Sequence, residues 1–395
     1  MKNVLFIDTG LSFGGSLVVA ARIANEISAL GYRSFVVTPV DAALIRHHFN
    51  EDVTIINLQK PVTYKDKMEL AERLSNIKFA PLRKLLSLGH NILEIFKNTA
   101  YTKAIKKIIK DNNIDIIHNN NCYDSIKVAK KLGKKIVWHF HGYLNDSSRT
   151  TRKWLSQCDH YIAISQCVYD SAASSDFIAS KKMSMLFNPI QNTIHYYSSA
   201  EIDARKEELK IGKRFVVGVF GRLVAWKGQL EFLAAFQQVK REVPNAVALL
   251  VGDDSEYGGY REQLSNQIEK LQLTNDVIFS GYTTNTDLHY QLCDLVVHCS
   301  IKPEPFGLVI TEAMQNKVAI IASSHGAGKE LVKNKSNGLI ADPLNPQELS
   351  TAIITLAKDS QTRNNYRDKA LEFVETLNAE AYAKQVVDIY NSILD

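Results

Sequence analysis

Short uninterrupted apolar runs, each followed by a glycine-containing turn and then a stretch with helical spacing, recur along the chain. Val4-Leu-Phe-Ile7 is such a run; a turn holding Gly10, Gly14 and Gly15 follows, then a helical stretch from Ser16 to Leu30 that stops at Gly31. The order is strand, loop, helix. Phe35-Val-Val37, Ile114-Asp-Ile-Ile117 and Ile136-Val-Trp138 read as further buried strands with helical segments between them. The second half repeats this grammar. Phe215-Val-Val-Gly-Val-Phe220 reads as a strand, Gly221 to Gly228 as a glycine-bounded loop and Gln229 to Arg241 as a helix. Ala248-Leu-Leu-Val251, Val277-Ile-Phe279, Leu295-Val-Val297 and Ala319-Ile-Ile321 supply more strands. Apolar runs without period-two alternation belong to parallel strands covered on both faces, so the pattern predicts two doubly wound α/β domains. The joint is expected near Asn188 to Lys213, where Asn188-Pro189 breaks the pattern and a polar, charged stretch follows. This gives an N-terminal Rossmann-like domain over 1–195, a second over 196–378, and a helical segment, 379–395, that could pack on either.

Length agrees with two cores, since 395 residues exceed what one hydrophobic core usually serves, roughly 250 to 300. With 45% apolar and 23% charged residues the composition is that of a globular protein. The five cysteines are scattered without a close pair, and the apolar run Val4 to Ile7 ends at Asp8, so a reducing cytoplasm and no structural metal are expected. No run approaches the ~18 apolar residues of a membrane span. Charge is divided unevenly: 26 Lys/Arg against 16 Asp/Glu up to residue 195, and 21 against 26 beyond it. Residues 60–110 concentrate the basic part, with 12 Lys/Arg and 4 Asp/Glu interleaved with Leu85, Leu86, Leu88, Ile92, Leu93, Ile95 and Phe96. Such a surface suits anionic lipid headgroups or a phosphorylated acceptor, and equally a solvated basic face. Nothing in it suggests nucleic acid.

Glu304 and Glu312 flank Phe306-Gly307-Leu308, where an apolar helix pattern begins. Eight residues of helix span roughly 12 Å, which is too far for the two carboxylates to share an atom. The better reading puts Gly307 at a helix N-terminus, whose N–H groups and dipole suit a phosphate. Glu312 would then accept hydrogen bonds from vicinal hydroxyls. Gly14-Gly15-Ser16 opens the first helix in the same manner. His139-Phe140-His141-Gly142 follows a strand, which places His141 at a strand's C-terminal end, where open α/β sheets bind ligands. His139 is expected to pack behind it. Asp253-Asp254 after a strand is read as a solvated loop rather than a metal pair, and no metal ligand is assigned.

Glu304-x7-Glu312 with Ala313-Met314, then Ile320-Ile-Ala-Ser-Ser, Gly326, Glu330-Leu-Val332 and Asn337-Gly-Leu339, resembles the donor-site signature of retaining GT-B glycosyltransferases, family 4 in particular. Gly221-Arg222-Leu223 with Lys227-Gly228 resembles the family's Arg and Lys pair on the donor diphosphate, Leu250-Val-Gly-Asp253 its next strand end, and Asn188-Pro-Ile190 its interdomain segment. His141 matches the family's Phe-His position beside the donor sugar. The sequence departs from the family at Gln315-Asn316-Lys317-Val318, where a small residue, Gly and Pro are usual.

The resemblance implies a GT-B fold with an interdomain cleft, and a metal-independent, retaining hexosyltransferase that needs no cofactor. Its donor would be a UDP- or GDP-linked sugar, and its acceptor a glycan or lipid-linked glycan of bacterial surface polysaccharide or lipopolysaccharide. His141, Glu304, Arg222 and Lys227 are the implied catalytic residues. Donor binding falls to Gly14, Gly15, Ser16, Arg222, Lys227, Glu304, Phe306, Gly307, Leu308 and Glu312, with Gly281 and Tyr282 beside the base. Two cations at a helix N-terminus can neutralise a departing diphosphate without metal. The expected location is cytoplasmic, at the inner face of the plasma membrane if the basic segment meets lipid. Two other readings stay open: a nucleotide-sugar epimerase of GT-B architecture, and a nucleotide-sugar-binding subunit without turnover.

Overall fold

The computed structural model describes residues 1–11, 14–60, 86, 98–144, 149–178, 182–191, 193–254 and 258–395. Most of the basic segment at 60–110 lies outside them. Among the described residues no helix is long and apolar enough to cross a membrane. The chain divides into two compact units: residues 1–164, 168–186 and 379–395 form the first, and 165–167 and 187–378 the second.

The first unit holds a seven-stranded sheet of β1 (Lys2–Ile7), β2 (Tyr32–Thr38), β3 (Thr54–Asn57), β4 (Ile116–Asn119), β5 (Lys135–Phe140), β6 (His160–Ala163) and β7 (Met183–Met185). Its order is β3-β2-β1-β4-β5-β6-β7, and every pairing is parallel. The second unit has β8 (Phe215–Phe220), β9 (Ala246–Val251), β10 (Val277–Gly281), β11 (Leu295–His298), β12 (Ala319–Ser323) and β13 (Leu339–Ala341) in the order β10-β9-β8-β11-β12-β13, again parallel throughout. In each sheet the chain first builds outward on one side and then returns to build on the other. The reversal falls between β1 and β4 in one unit and between β8 and β11 in the other. A crevice opens there beyond the strands' C-terminal ends, because successive crossovers leave to opposite sides.

Two boundaries differ from the pattern reading for one reason. The strand expected at Ile114–Ile117 lies at Ile116–Asn119, and the one expected at Ile136–Trp138 runs on to Phe140. Both shifts carry polar side chains, His118, Asn119 and His139, into the sheet interior. Their hydrogen bonds are made within the protein, so burial costs little. Asn119, for example, donates to Ser125 Oγ and to the Cys122 carbonyl, each at 2.6 Å. The first helix covers Gly15–Glu26 and tightens to a 3-10 turn at Ile27–Leu30, which Gly31 ends with φ 87°.

The helix Ala379–Leu394 belongs to the first unit. Tyr382, Ala383, Val386, Tyr390 and Ile393 form its buried stripe at helical spacing and join the core that holds the helix Gly15–Glu26. Residues 199–208, within the expected polar joint, form a helix started by a capping box of Ser198 and Glu201. At the departure from the family pattern, Lys317 adopts φ 57° after the helix Leu308–Gln315. Lys317 N–H donates to the Met314 carbonyl and Val318 N–H to that of Ala313, a Schellman closure, so lysine holds the position glycine usually takes.

Close approach of backbones defines the strand-end loops of the second unit. Gly252 has φ 139°, and a Cβ there would lie 2.0 Å from the Gly221 carbonyl oxygen. Gly212 has φ 58° with nothing near its Cβ position. Gly252→Ala is therefore expected to destabilise the second unit by about 3 kcal/mol, because backbone must move. Gly212→Ala should cost only about 1 kcal/mol, the left-handed backbone term alone. Urea unfolding of the two variants side by side checks this; equal losses would show that the contact does not matter.

Candidate active site

The crevice of the second unit is built from the loops after β8 and β11. The β8 loop runs from Gly221 to Gly228 and carries Arg222 and Lys227. Gly228, at φ 76°, starts the helix Gln229–Glu242, and a Cβ on it would overlap the Cys299 carbonyl oxygen at 1.9 Å. Glycine is thus required for the two loops to touch. Ile301 N–H donates to the Trp226 carbonyl at 2.9 Å and Cys299 Sγ to that of Lys227 at 3.3 Å, which fixes their register.

Glu304 lies where they meet. Lys227 Nζ donates to its Oε1 at 2.7 Å, while His298 Nε2 and Ser300 Oγ both lie 2.7 Å from Oε2. The Lys227 ammonium also sits 4.5 Å from the centre of the Trp226 ring. Ser323 N–H approaches His298 Nδ1 at 3.4 Å. Burial alone would push the Glu304 carboxyl up, but the His298 ring and then the Lys227 ammonium outweigh it and hold it well below the usual carboxylate range. Its main chain is pinned too: Ala327 N–H donates to the Glu304 carbonyl at 2.9 Å, and Gly326, at φ 69°, lets that strand approach within a distance no Cβ would allow.

Gly307 starts the helix Leu308–Gln315 with φ 91° and no side-chain cap, as the sequence pattern implies. Glu304 precedes this helix rather than belonging to it. Within it, Glu312 accepts from the Tyr290 hydroxyl at 2.8 Å, and Tyr290 stacks on Phe220 at 3.9 Å. The Phe306 side chain is buried, with Phe187 at 6.1 Å, so only its backbone is placed to meet a ligand. Leu308 is half-buried and Arg222 exposed. Leu223 N–H donates to the Asp253 carbonyl, and Gly252 N–H to that of Gly281, so Arg222, Asp253 and Tyr282 follow one another along the rim of β8, β9 and β10. Tyr282 is 72% exposed at the end of β10.

The first unit's crevice is also polar. Asp8, fully buried at the end of β1, accepts from Gly10 N–H at 2.8 Å and from the side-chain amides of Asn120 and Asn121 at 3.1 and 3.3 Å. Gly14, Gly15 and Ser16 open the adjoining helix, and the Ser16 carbonyl accepts from Asn120. His141 stands beyond β5. Burial lowers its imidazole to about 4, against a smaller upward pull from Asp8, so the ring is neutral near pH 7. Its buried Nε2 and the buried Asn120 Oδ1 have no hydrogen-bond partner among the described residues. Two such atoms in one crevice suit a ligand that supplies hydroxyls.

Sequence reasoning singled out Glu304, Glu312, Arg222, Lys227 and His141 and passed over His298, Ser300, Tyr290, Asp8 and Asn120. The position of His298 at the end of β11 was the available signal, since that is where such sheets bind ligands. Among the described residues no group of three His, Cys, Asp or Glu is arranged to hold a metal ion.

The depressed Glu304 carboxyl has a stability consequence with a definite sign. Its contribution is fully present above the unfolded-chain value of 4.5 and is lost as pH falls toward the lower folded value. Glu304→Gln should destabilise the second unit by about 3 kcal/mol near pH 7, since Lys227 is left without its counter-charge. The gap from wild type should narrow progressively as pH falls from about 4.5 to about 2. Urea midpoints across that range test it; parallel curves would contradict the assignment.

Residues 201–373 match the family model of glycosyl transferases group 1, and residues 13–192 that of Glycosyltransferase Family 4. The poly(glycerol-phosphate) alpha-glucosyltransferase of Bacillus subtilis is 27% identical over 184 residues, covering 46% of this chain and 27% of that enzyme. The lipopolysaccharide core biosynthesis mannosyltransferase LpcC of Rhizobium leguminosarum is 27% identical over 183 residues, covering 46% of this chain and 52% of that one. The chain thus spans about a quarter and about half of the lengths of these two relatives. The crystal structure of Anabaena HepE in complex with UDP and glucose superposes with a TM-score of 0.77 at 24% identity, covering 99% of this chain and 100% of that one, a likeness of fold. With one family model on each unit and most of the chain covered between them, the chain belongs to the GT-B glycosyltransferases of the family 4 type.

Proposed function

We propose that the protein transfers a hexose from a UDP- or GDP-linked donor to a hydroxyl of a glycan or lipid-linked acceptor, with retention of anomeric configuration and no metal requirement. The observation that carries this reading is the buried ion pair of Lys227 and Glu304 beside the uncapped start of the helix Leu308–Gln315. Glu304 accepts a hydrogen bond from one of the three N–H groups of the Lys227 ammonium and so aims the others, which suit the oxygens of a diphosphate. Arg222 and the first amides of the helix would share the charge that develops as the diphosphate departs. Lys227 is held by Glu304 and the helix amides by the fold, so neither would need to reorganise.

Glu304 stays a carboxylate and is too weak a base to collect a proton, so its role is electrostatic: it orients Lys227 and faces the positive charge that grows at the anomeric carbon. Glu312 would accept from vicinal hydroxyls of the donor. Gly281 and Tyr282 would flank the base. His141, neutral, would bond a sugar hydroxyl through Nε2, and Gly14 to Ser16 would present amides at the other helix start. The Bacillus subtilis and Rhizobium leguminosarum relatives, by name a poly(glycerol-phosphate) alpha-glucosyltransferase and a lipopolysaccharide core biosynthesis mannosyltransferase, support a surface-polysaccharide acceptor. The basic residues of 60–110 would bring the enzyme to anionic lipid at the inner face of the membrane; co-sedimentation with phosphatidylglycerol vesicles that disappears at high salt is expected, and no binding at low salt would remove this part.

Donors are to be found by thermal shift across a panel of UDP- and GDP-sugars. With the stabilising donor, Arg222→Ala and Lys227→Ala should each lower kcat by about 10²- to 10³-fold, and EDTA should leave the rate unchanged. Transfer at the wild-type rate by both variants would overturn the account.

A further inference from the structure

His118 on β4 and His139 on β5 are enclosed in the first unit, and all four of their ring nitrogens are engaged. His118 Nδ1 lies 2.6 Å from the Tyr390 hydroxyl, His118 Nε2 lies 3.0 Å from His139 Nδ1, and His139 Nε2 lies 3.3 Å from the Tyr382 hydroxyl. Tyr382 and Tyr390 stand on one face of the helix Ala379–Leu394, a little over two turns apart, so a single element closes both ends of the chain. Beyond it, the His141 ring packs on that of His139 with centroids 4.1 Å apart. Burial lowers the His118 imidazole to about 3 and His139 well below its ordinary value, with a smaller push from His141. Each ring therefore carries one proton.

That count leaves two arrangements. One proton lies between the two rings. If His118 supplies it from Nε2, then His118 Nδ1 accepts from Tyr390 and His139 Nε2–H donates to Tyr382. If His139 supplies it from Nδ1, every bond reverses: His118 Nδ1–H donates to Tyr390 and Tyr382 donates to His139. In both, the two histidines are the same tautomer, and in both one tyrosine proton at one end has no acceptor among the described residues. The arrangements are mirror images, so the tyrosines at the ends decide between them.

We propose that Tyr382 and Tyr390 are positioning residues for sugar transfer: they select the direction of the proton chain through His118 and His139, and thereby fix the ring on which His141 rests. The consequence for catalysis rests on the reading of His141 as a sugar-site residue; the proton chain itself does not.

The test is ring-¹⁵N magic-angle-spinning spectra of histidine-labelled protein, with His118→Gln and His139→Gln to assign the signals, together with kinetics of Tyr382→Phe and Tyr390→Phe. In the wild type His118 and His139 should show matched tautomers, both Nε2–H or both Nδ1–H; mismatched tautomers overturn the chain without recourse to any variant. Because the network is symmetric, removing one terminal hydroxyl should favour one direction and removing the other its opposite, so the two variants should show opposite tautomer pairs. The same pair in both overturns the proposal. The variant whose tautomer pair is opposite to the wild type's should lower kcat about tenfold with the donor KM within about twofold, as expected of misplacement in the reacting complex rather than lost donor binding, while the variant that keeps the wild-type pair should stay within about twofold in both. Unchanged kcat in both variants, with lowered melting temperatures, would show a structural role only and overturn it. Full activity in His141→Ala with matched tautomers would instead overturn the reading of His141 while leaving the chain intact.

Discussion

A carboxylate removed from water must be met by charge, and in the second unit this requirement organises everything around Glu304. Its counter-charge, Lys227, comes from the loop after β8, and its remaining hydrogen bonds from His298 and Ser300 at the end of β11. Those loops are neighbours only because the strand order reverses between β8 and β11. Topology brings the partners together, and glycines at 228 and 326 let the backbones come close enough to hold them. The arrangement leaves a fixed cation and the start of a helix in the same crevice, which is the form an anionic leaving group needs met before it departs.

The other unit solves a similar problem with different means. Asp8 occupies the matching place, at the reversal between β1 and β4, but its partners are a main-chain N–H and two asparagine amides rather than cations. One carboxylate is therefore met by a fixed cation and the other by neutral dipoles, beside two buried atoms without a partner among the described residues. This division fits a charged donor on one unit and hydroxyl-bearing groups on the other.

The fold was legible because parallel strands buried on both faces announce themselves as apolar runs, and glycines mark their ends. The reading faltered where strands carry polar residues inward. β4 and the end of β5 were displaced because His118, Asn119 and His139 are satisfied by partners that hydropathy cannot reveal, two of them some 240 residues or more away in sequence at Tyr382 and Tyr390. The site was legible as a set of charged residues at motif spacing, and its wiring was not. That Lys227 is bound to Glu304 rather than exposed beside Arg222 depends on the approach of two loops 77 residues apart, which no local pattern encodes. His298 fell outside the motif although it touches the motif's first glutamate.

The helix Ala379–Leu394 has a consequence for how the protein is made. Its tyrosines and aliphatic stripe complete the core of the first unit, yet the ribosome delivers them only after residues 187–378. During synthesis the second unit has all of its strands while the first still lacks a wall, with Val19, Ile23 and Ile27 awaiting their cover. The later unit in the sequence is thus the earlier one to be complete, and the nascent first unit must keep an apolar face from other chains until then.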